Sequence, residues 1–485
     1  LMNSKIGKQE SHIFDFLNNL RMAPRGGFSS RIGFIAAAAG SAVGLGNIWG
    51  FPYEVGEGGG AAFVVIYLFF CFILCFPVMA TEIAIGRKTQ LNPVGAFNAL
   101  GYNKWNWIGK MGILAGVLIL SFYNIIAGWA FGYILEMIAG NFAIADEFGE
   151  YIKDVIKVGA YGAVFMGTTA YVVSKGISGG IEKAAKLLMP TLIIMMLVIV
   201  GYSMTLPNAS DGLKFYLVPD FTKLNASVIY NAMGQAFFSL SLGMGALITY
   251  GSYVSKKENI VSAAAWVTLA DVGIALIAGL MIFPLIGFMS GGTMEGAGRG
   301  PGLIFVTLPQ IFGNIGGTLG IVAGTTFFVL LCFAALTSTV SLLEVPVSYV
   351  VDELKIKRKR AVWLVAGVIF LVGIPSLLGN GYSDFFSNSF TTYKAGGTDT
   401  DFLSLIAAIA NDTLLPLGGC MISFFAAHVW KKHNLDDELA QGAPSYKGSF
   451  VQKYLNFAIS YLAPIVLGAL FILTVLFKFF GISIL

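Results

Sequence analysis

Long apolar runs separated by short polar stretches set the pattern of this chain. A helix crossing a bilayer needs about 20 mostly apolar residues, and such runs fall at 30–56, 61–84, 109–139, 159–174, 184–205, 228–254, 261–290, 318–353, 361–380, 402–430 and 453–479. The pattern predicts an all-α integral membrane protein of about eleven spans. Two of the runs are interrupted at mid-depth. The first reads GSAVGLGN at 40–47 and the sixth FFSLSLGMGALITY at 237–250, although a glycine inside a helix costs about 1 kcal/mol relative to alanine. Each interrupted run opens a set of five, and paired interruptions at matching places in two halves point to an inverted-repeat transporter with its binding site at the breaks. Glycines that merely allow close helix packing are the plainer alternative. The polar Ser41, Asn47, Ser239 and Ser241 beside the breaks argue against it.

Unpaired backbone groups are not tolerated in lipid, so non-helical backbone at that depth must face protein or a polar cavity. Unwound carbonyls and helix C-termini attract cations, whereas helix N-termini attract anions. A zwitterion accompanied by cations meets both demands.

Composition strengthens the membrane reading. The 485 residues are 56% hydrophobic and 12% charged, with mean hydropathy +0.78, against roughly 25% charged residues in soluble domains. A net charge of +4, with the basic residues scattered over loops, gives no support to nucleic-acid binding. Cys71, Cys75, Cys332 and Cys420 sit inside apolar runs as small packing residues, and the three histidines lie at tails or span ends without metal-ligand spacing. No cleavable signal peptide is expected, because the first 27 residues lack an apolar core. Most of the 30 Lys and Arg residues fall in the N-terminal tail and the loops on its side, including KIKRKR at 355–360. The positive-inside rule then places the N-terminus in the cytoplasm. The expected layout is a cytoplasmic tail (1–27), two five-helix repeats (28–208 and 226–430), a cytoplasmic loop (431–452), and an eleventh span with an outer C-terminus (453–485).

The segments RIGFIAAAAGSAVGLGNIWGFPY (31–53), GQAFFSLSLGMGALITYGSY, GPGLIFVTLP and AALTSTVSLLE resemble the signature segments of the neurotransmitter:sodium symporter family, on its bacterial amino-acid transporter branch. The resemblance runs from about Arg25 to the eleventh span. It implies a five-plus-five inverted-repeat fold with broken first and sixth spans, in a bacterial inner membrane, working without an enzymatic step or an organic cofactor. Two Na+ sites follow from it. The first would use the Ala42 carbonyl, Asn47, Ser239 and Asp271; the second, carbonyls of Gly40, Val43 and Ala334 with the hydroxyls of Thr337 and Ser338. Sites dominated by neutral oxygens suit a monovalent ion better than calcium.

The resemblance also implies a substrate pocket. Glycine at Gly44 goes with amino-acid substrates whose carboxylate reaches the first sodium, where an aspartate goes with amines. Tyr123 with the Leu45 and Gly46 amides would hold the carboxylate, and Ser241 with the Ala42, Phe238 and Ser239 carbonyls the ammonium. Ile119, Phe238, Met244, Ser338 and Leu342 would surround the side chain. That lining is uncharged, which favours a hydrophobic or aromatic amino acid. Arg25 and Asp352, with Tyr253 and Ser252 beside them, match the family's inner closing pair, and Gly180 and Pro190 the spacing of fifth-span unwinding. Tyr123 and Phe238 would form an outer lid near Gln235. The outer ion pair departs from the pattern, with Gly50 in the arginine position and Ser404, one turn after Asp401, in the acidic one. Chloride dependence is not expected. Of the positions that hold chloride in animal members (Tyr67, Gln235, Ser239, Asp271, Ala275), the fourth is a carboxylate and the fifth an alanine. Besides the bilayer and the amino acid, no obligatory protein partner is implied. The alternative function is an amino-acid-binding membrane sensor of the same fold with little transport, for which loss of the outer pair is the hint.

Overall fold

The computed structural model describes residues 26–292, 301–390 and 400–482. Among them, nine helices are long and apolar enough to cross a membrane, and a tenth span is the bent pair Arg31–Ala42 and Gly46–Glu57, whose halves meet at 54°. The expected sixth span is a second broken element. It is built from Ala226–Ser239 and Ala246–Gly251, each too short to cross alone. The fourth span, expected to be short, is a full helix over Val155–Ser174.

Helix starts are fixed by side chains that accept the otherwise orphaned amides of a first turn. Ser30 caps the first span through Gly33 N, Asn225 the sixth through Val228 N, and Asn259 the seventh through Ser262 N. Close approach between spans relies on missing side chains: a Cβ on Gly128 of the third span would lie 2.8 Å from the Gly162 amide of the fourth. The third span (Trp107–Ile138) and the eighth (Gly317–Asp352) pack along each other and back the two broken spans.

Each break has its own partners, which is why it survives in a buried setting. In the first span, Asn47 Oδ1 accepts from Gly44 N at 3.0 Å, Leu45 N donates to the Tyr123 hydroxyl at 2.8 Å, and Gln235 Nε2 donates to the Gly46 carbonyl at 2.8 Å. In the sixth span, Ser241, Gly243 and Gly245 have φ of 53°, 83° and 75°, and the buried Glu82 carboxylate accepts from Gly243 N at 2.7 Å. The backbone of Gly243 lies directly on that of Leu415 and Gly418 in the tenth span, so the site needs glycine twice over, for conformation and for contact.

Gly180 and Pro190 bracket the stretch of the fifth span with the spacing that goes with unwinding. Residues 180–190 are wound, as a π-turn over Ile177–Glu182 that runs into the helix Lys183–Ser203, with Pro190 inside it. At the face where the chain begins, Arg87 is fully buried. Its Nε pairs with Glu438 Oε1 at 2.6 Å and its Nη1 donates to the Glu258 carbonyl at 2.5 Å, tying the segment after the tenth span to the end of the second.

Candidate functional site

The loose ends of the first and sixth spans enclose, with the third, eighth and tenth, a cavity of about 30 Å³. Its polar lining comes from Gly44, Gly46, Tyr123 and Ser338 and from Ala42, Ser239, Ser241 and Ser41, with the Ser241 hydroxyl donating to the Ser41 carbonyl at 2.9 Å. Ile119, Phe238, Met244, Leu342 and Leu415 make the apolar walls. All the residues expected around the substrate line this cavity except Leu45, whose amide is turned to Tyr123. Ser41 and Leu415 were not expected there. Ser41 lies within the interrupted stretch 40–47 but was not among the residues expected around the substrate, and Leu415 is one leucine in an apolar span.

Beside the cavity lies a fully buried polar knot. Asn47 Nδ2 donates to Asp271 Oδ1 at 2.7 Å and to Ser239 Oγ at 3.0 Å; Ser239 Oγ donates to Asp271 Oδ2 at 2.9 Å, and the Tyr67 hydroxyl reaches the same oxygen at 3.5 Å. Asn47, Ser239 and Asp271 are the residues whose side chains were expected at the first sodium site, and the groups that hold the carboxylate, from Asn47, Ser239 and Tyr67, are neutral. A buried carboxylate surrounded by neutral groups is stabilised by a cation.

The second group also converges. Ser338 Oγ donates to the Val43 carbonyl at 3.1 Å, Thr337 Oγ1 to the Ala334 carbonyl at 2.9 Å and more weakly to Val43 at 3.4 Å. Gly40 backs directly on Thr337. Thr337 thus makes the preceding-turn bond usual for threonine in membrane helices, but its hydroxyl also faces the first break. Among the described residues no cluster of three or more His, Cys, Asp and Glu side chains could hold a metal ion, and the oxygens gathered at these two groups are mostly neutral.

A family model described as the sodium:neurotransmitter symporter family matches residues 25–154 and 147–478. The chain belongs to this family. It is 36% identical over 435 residues to the uncharacterized sodium-dependent transporter YhdH of Bacillus subtilis, covering 87% of this chain and 92% of that one. It is 27% identical over 445 residues to the sodium- and chloride-dependent GABA transporter 2 of Homo sapiens, covering 79% and 72% respectively. The crystal structure of MhsT in complex with L-phenylalanine superposes with a TM-score of 0.82 at 41% identity, covering 92% of this chain and 99% of that one. The protein is therefore a sodium-dependent symporter and a multi-pass membrane protein, not an enzyme.

The symporter's cavity is closed differently at its two faces. At the face where the chain begins, Arg25 lies outside the described residues. Asp352 accepts from Asn92 N and Nδ2 at 3.1 and 3.0 Å, and Ser252 Oγ donates to the Thr249 carbonyl. Tyr253 donates to Glu344 Oε1 at 2.6 Å, and Arg358 chelates the same carboxylate. The Phe28 ring packs on Phe34, Tyr250 and Tyr253. Glu344 and Arg358 were missed in the sequence, being 14 positions apart on either side of a turn. At the opposite face, Phe238 stands between the cavity and a vestibule of about 440 Å³ and lines both.

Proposed function

We propose that this symporter carries a neutral amino acid with an apolar or aromatic side chain, together with two sodium ions and without chloride. The observation that carries the reading is the cavity itself: apolar, uncharged walls, polar groups from both breaks in its lining, and the Asn47–Asp271 knot beside it. A zwitterion fits it with its carboxylate toward Tyr123 and the first sodium and its ammonium toward the sixth-span break. The likeness to MhsT, crystallised with L-phenylalanine, supports an aromatic side chain. At about 30 Å³ the cavity has room for about two waters, so a bulky substrate enters only as Phe238 and the adaptable Met244 give way. The alternating-access cycle then has sodium favouring the outward-open form and substrate completing the first sodium site. Lys and Arg concentrated on the face of the N-terminus support a cytoplasmic N-terminus in a bacterial inner membrane, with 28–208 and 226–430 as the two repeats.

Uptake into proteoliposomes tests the whole reading. An inward sodium gradient should accumulate L-phenylalanine or L-leucine well above glycine, lysine or glutamate, and replacing chloride by gluconate should leave the rate unchanged. Sodium-dependent binding without accumulation would instead support the sensor alternative. The second sodium site has a separate test. Replacing Thr337 and Ser338 by alanine removes two buried oxygen ligands, each worth about 1–3 kcal/mol. The sodium concentration for half-maximal uptake should rise about tenfold or more, and overlaying activation curves would refute the assignment.

A further inference from the structure

The outer vestibule holds charges at positions other than those of the family's outer ion pair. Gly50 offers no side chain and lies against Gln235. Asp401 is engaged as the N-cap of the tenth span, accepting from Ser404 N at 2.7 Å and from Ser404 Oγ at 3.1 Å. Three charged residues line the vestibule above Phe238. Glu54 stands one turn beyond Gly50 on the outer half of the first span. Asp412 lies on the π-turn Ala408–Leu414 of the tenth span, and Lys478 in the last turn of the helix Ala463–Phe480. Lys478 Nζ pairs with Asp412 Oδ2. A lysine at the end of a membrane helix ordinarily reaches out to the lipid headgroups. This one turns inward, with a side chain only 21% exposed.

We propose that Lys478 and Asp412, joined by Glu54 as the vestibule closes, form the ionic latch of the outer gate in place of the pair missing at Gly50 and Ser404. The inference rests on the transport reading above. Closing the vestibule brings the outer half of the first span toward the tenth, and with it Glu54 toward Asp412. Two carboxylates converging in a shrinking, water-poor space repel each other. Lys478, already paired with Asp412 and lining the same vestibule as Glu54, turns the repulsion into a three-membered bridge linking the first, tenth and eleventh spans. The geometry assigns Lys478 a positioning role: it touches neither substrate nor sodium, but it sets how readily the lid over them shuts.

The test uses the full-length protein carrying Asn231→Cys, a vestibule position, since the four native cysteines are buried. Sodium plus L-phenylalanine should protect the introduced thiol from a charged thiol reagent added outside. Lys478→Met should reduce that protection and the uptake rate about five- to tenfold, while sodium-dependent L-phenylalanine binding stays within about twofold. Lys478→Arg should behave like the parent. Adding Glu54→Gln to Lys478→Met should restore most of the protection, because it removes the converging charge; a merely structural role for Lys478 predicts no such rescue. Protection in Lys478→Met equal to the parent's, or failure of Glu54→Gln to restore it, overturns the latch. A parent that sodium and L-phenylalanine never protect overturns the transport reading and the latch with it.

Discussion

Replacing Gly44 by aspartate should abolish amino-acid binding while leaving room for an amine. Gly44 lines the cavity where the proposed pose puts the substrate carboxylate, and a Cβ there would lie 2.6 Å from the Tyr123 hydroxyl and closer still to Ser338 Oγ. Any side chain there enters the space that a substrate carboxylate must use. An aspartate does more than fill it. Two carboxylates about 4 Å apart repel by roughly 4 kcal/mol at an effective dielectric of about 20, close to a thousandfold in affinity. The introduced carboxylate would at the same time stand in for the substrate's as a sodium ligand, so sodium binding should survive. Binding of L-phenylalanine should therefore fall about a thousandfold in Gly44→Asp, and phenethylamine, which lacks the carboxylate, should gain measurable sodium-dependent binding. Gly44→Ala separates crowding from charge and should weaken L-phenylalanine about ten- to a hundredfold without admitting the amine. Unchanged amino-acid affinity in Gly44→Asp would sink the substrate pose.

The two breaks were legible because glycine, serine and asparagine stand out against an apolar run, and the residues flanking them carried most of the candidate site with them. The backbone at 240–245 needs left-handed conformations at three positions, and a sequence advertises such needs through the residues that can meet them. What could not be read is which way a residue faces. A helix that is apolar all round shows no amphipathic contrast, so nothing distinguished Leu415, which lines the cavity, from its neighbours. The same ambiguity hid Lys478, which looks like an interface anchor in sequence and turns into the vestibule in the structure. Glu82 was hidden for another reason: it satisfies a break far away in sequence, through Gly243 N. The wound fifth span marks a further limit. Gly180 and Pro190 show where a helix can loosen, whereas its winding in this structure is set by the π-turn before it and the packing around it.

Asparagine in place of Asp271 should cost the symporter most of its activity, and only a second change, Ala275→Ser, should make the loss recoverable with chloride. Asp271 is wholly buried, and its partners Asn47, Ser239 and Tyr67 are all neutral, so on the proposed reading a sodium ion balances its charge. Removing the carboxylate takes away a ligand and leaves the amide of Asn47 facing another amide. Breaking a buried charge pair on one side costs about 3–5 kcal/mol, so uptake at a fixed sodium concentration should fall about a hundredfold or more. In the parent, the Tyr67 hydroxyl reaches toward this carboxylate, and Ala275, one turn further along the seventh span, can donate nothing. An anion arriving there meets a negative charge and too few donors. Asp271→Asn combined with Ala275→Ser reverses both conditions: Tyr67 is released, a second hydroxyl appears on the same helix face, and the sodium charge is left for a diffusible anion to balance. The parent should transport equally in chloride and gluconate, the single variant poorly in both, and the double variant about tenfold faster in chloride than in gluconate. Strong chloride stimulation of the parent, or a single variant with undiminished uptake, would show that Asp271 is not the fixed counter-charge. The human relative, sodium- and chloride-dependent, would then be the better guide to how this chain balances its sodium.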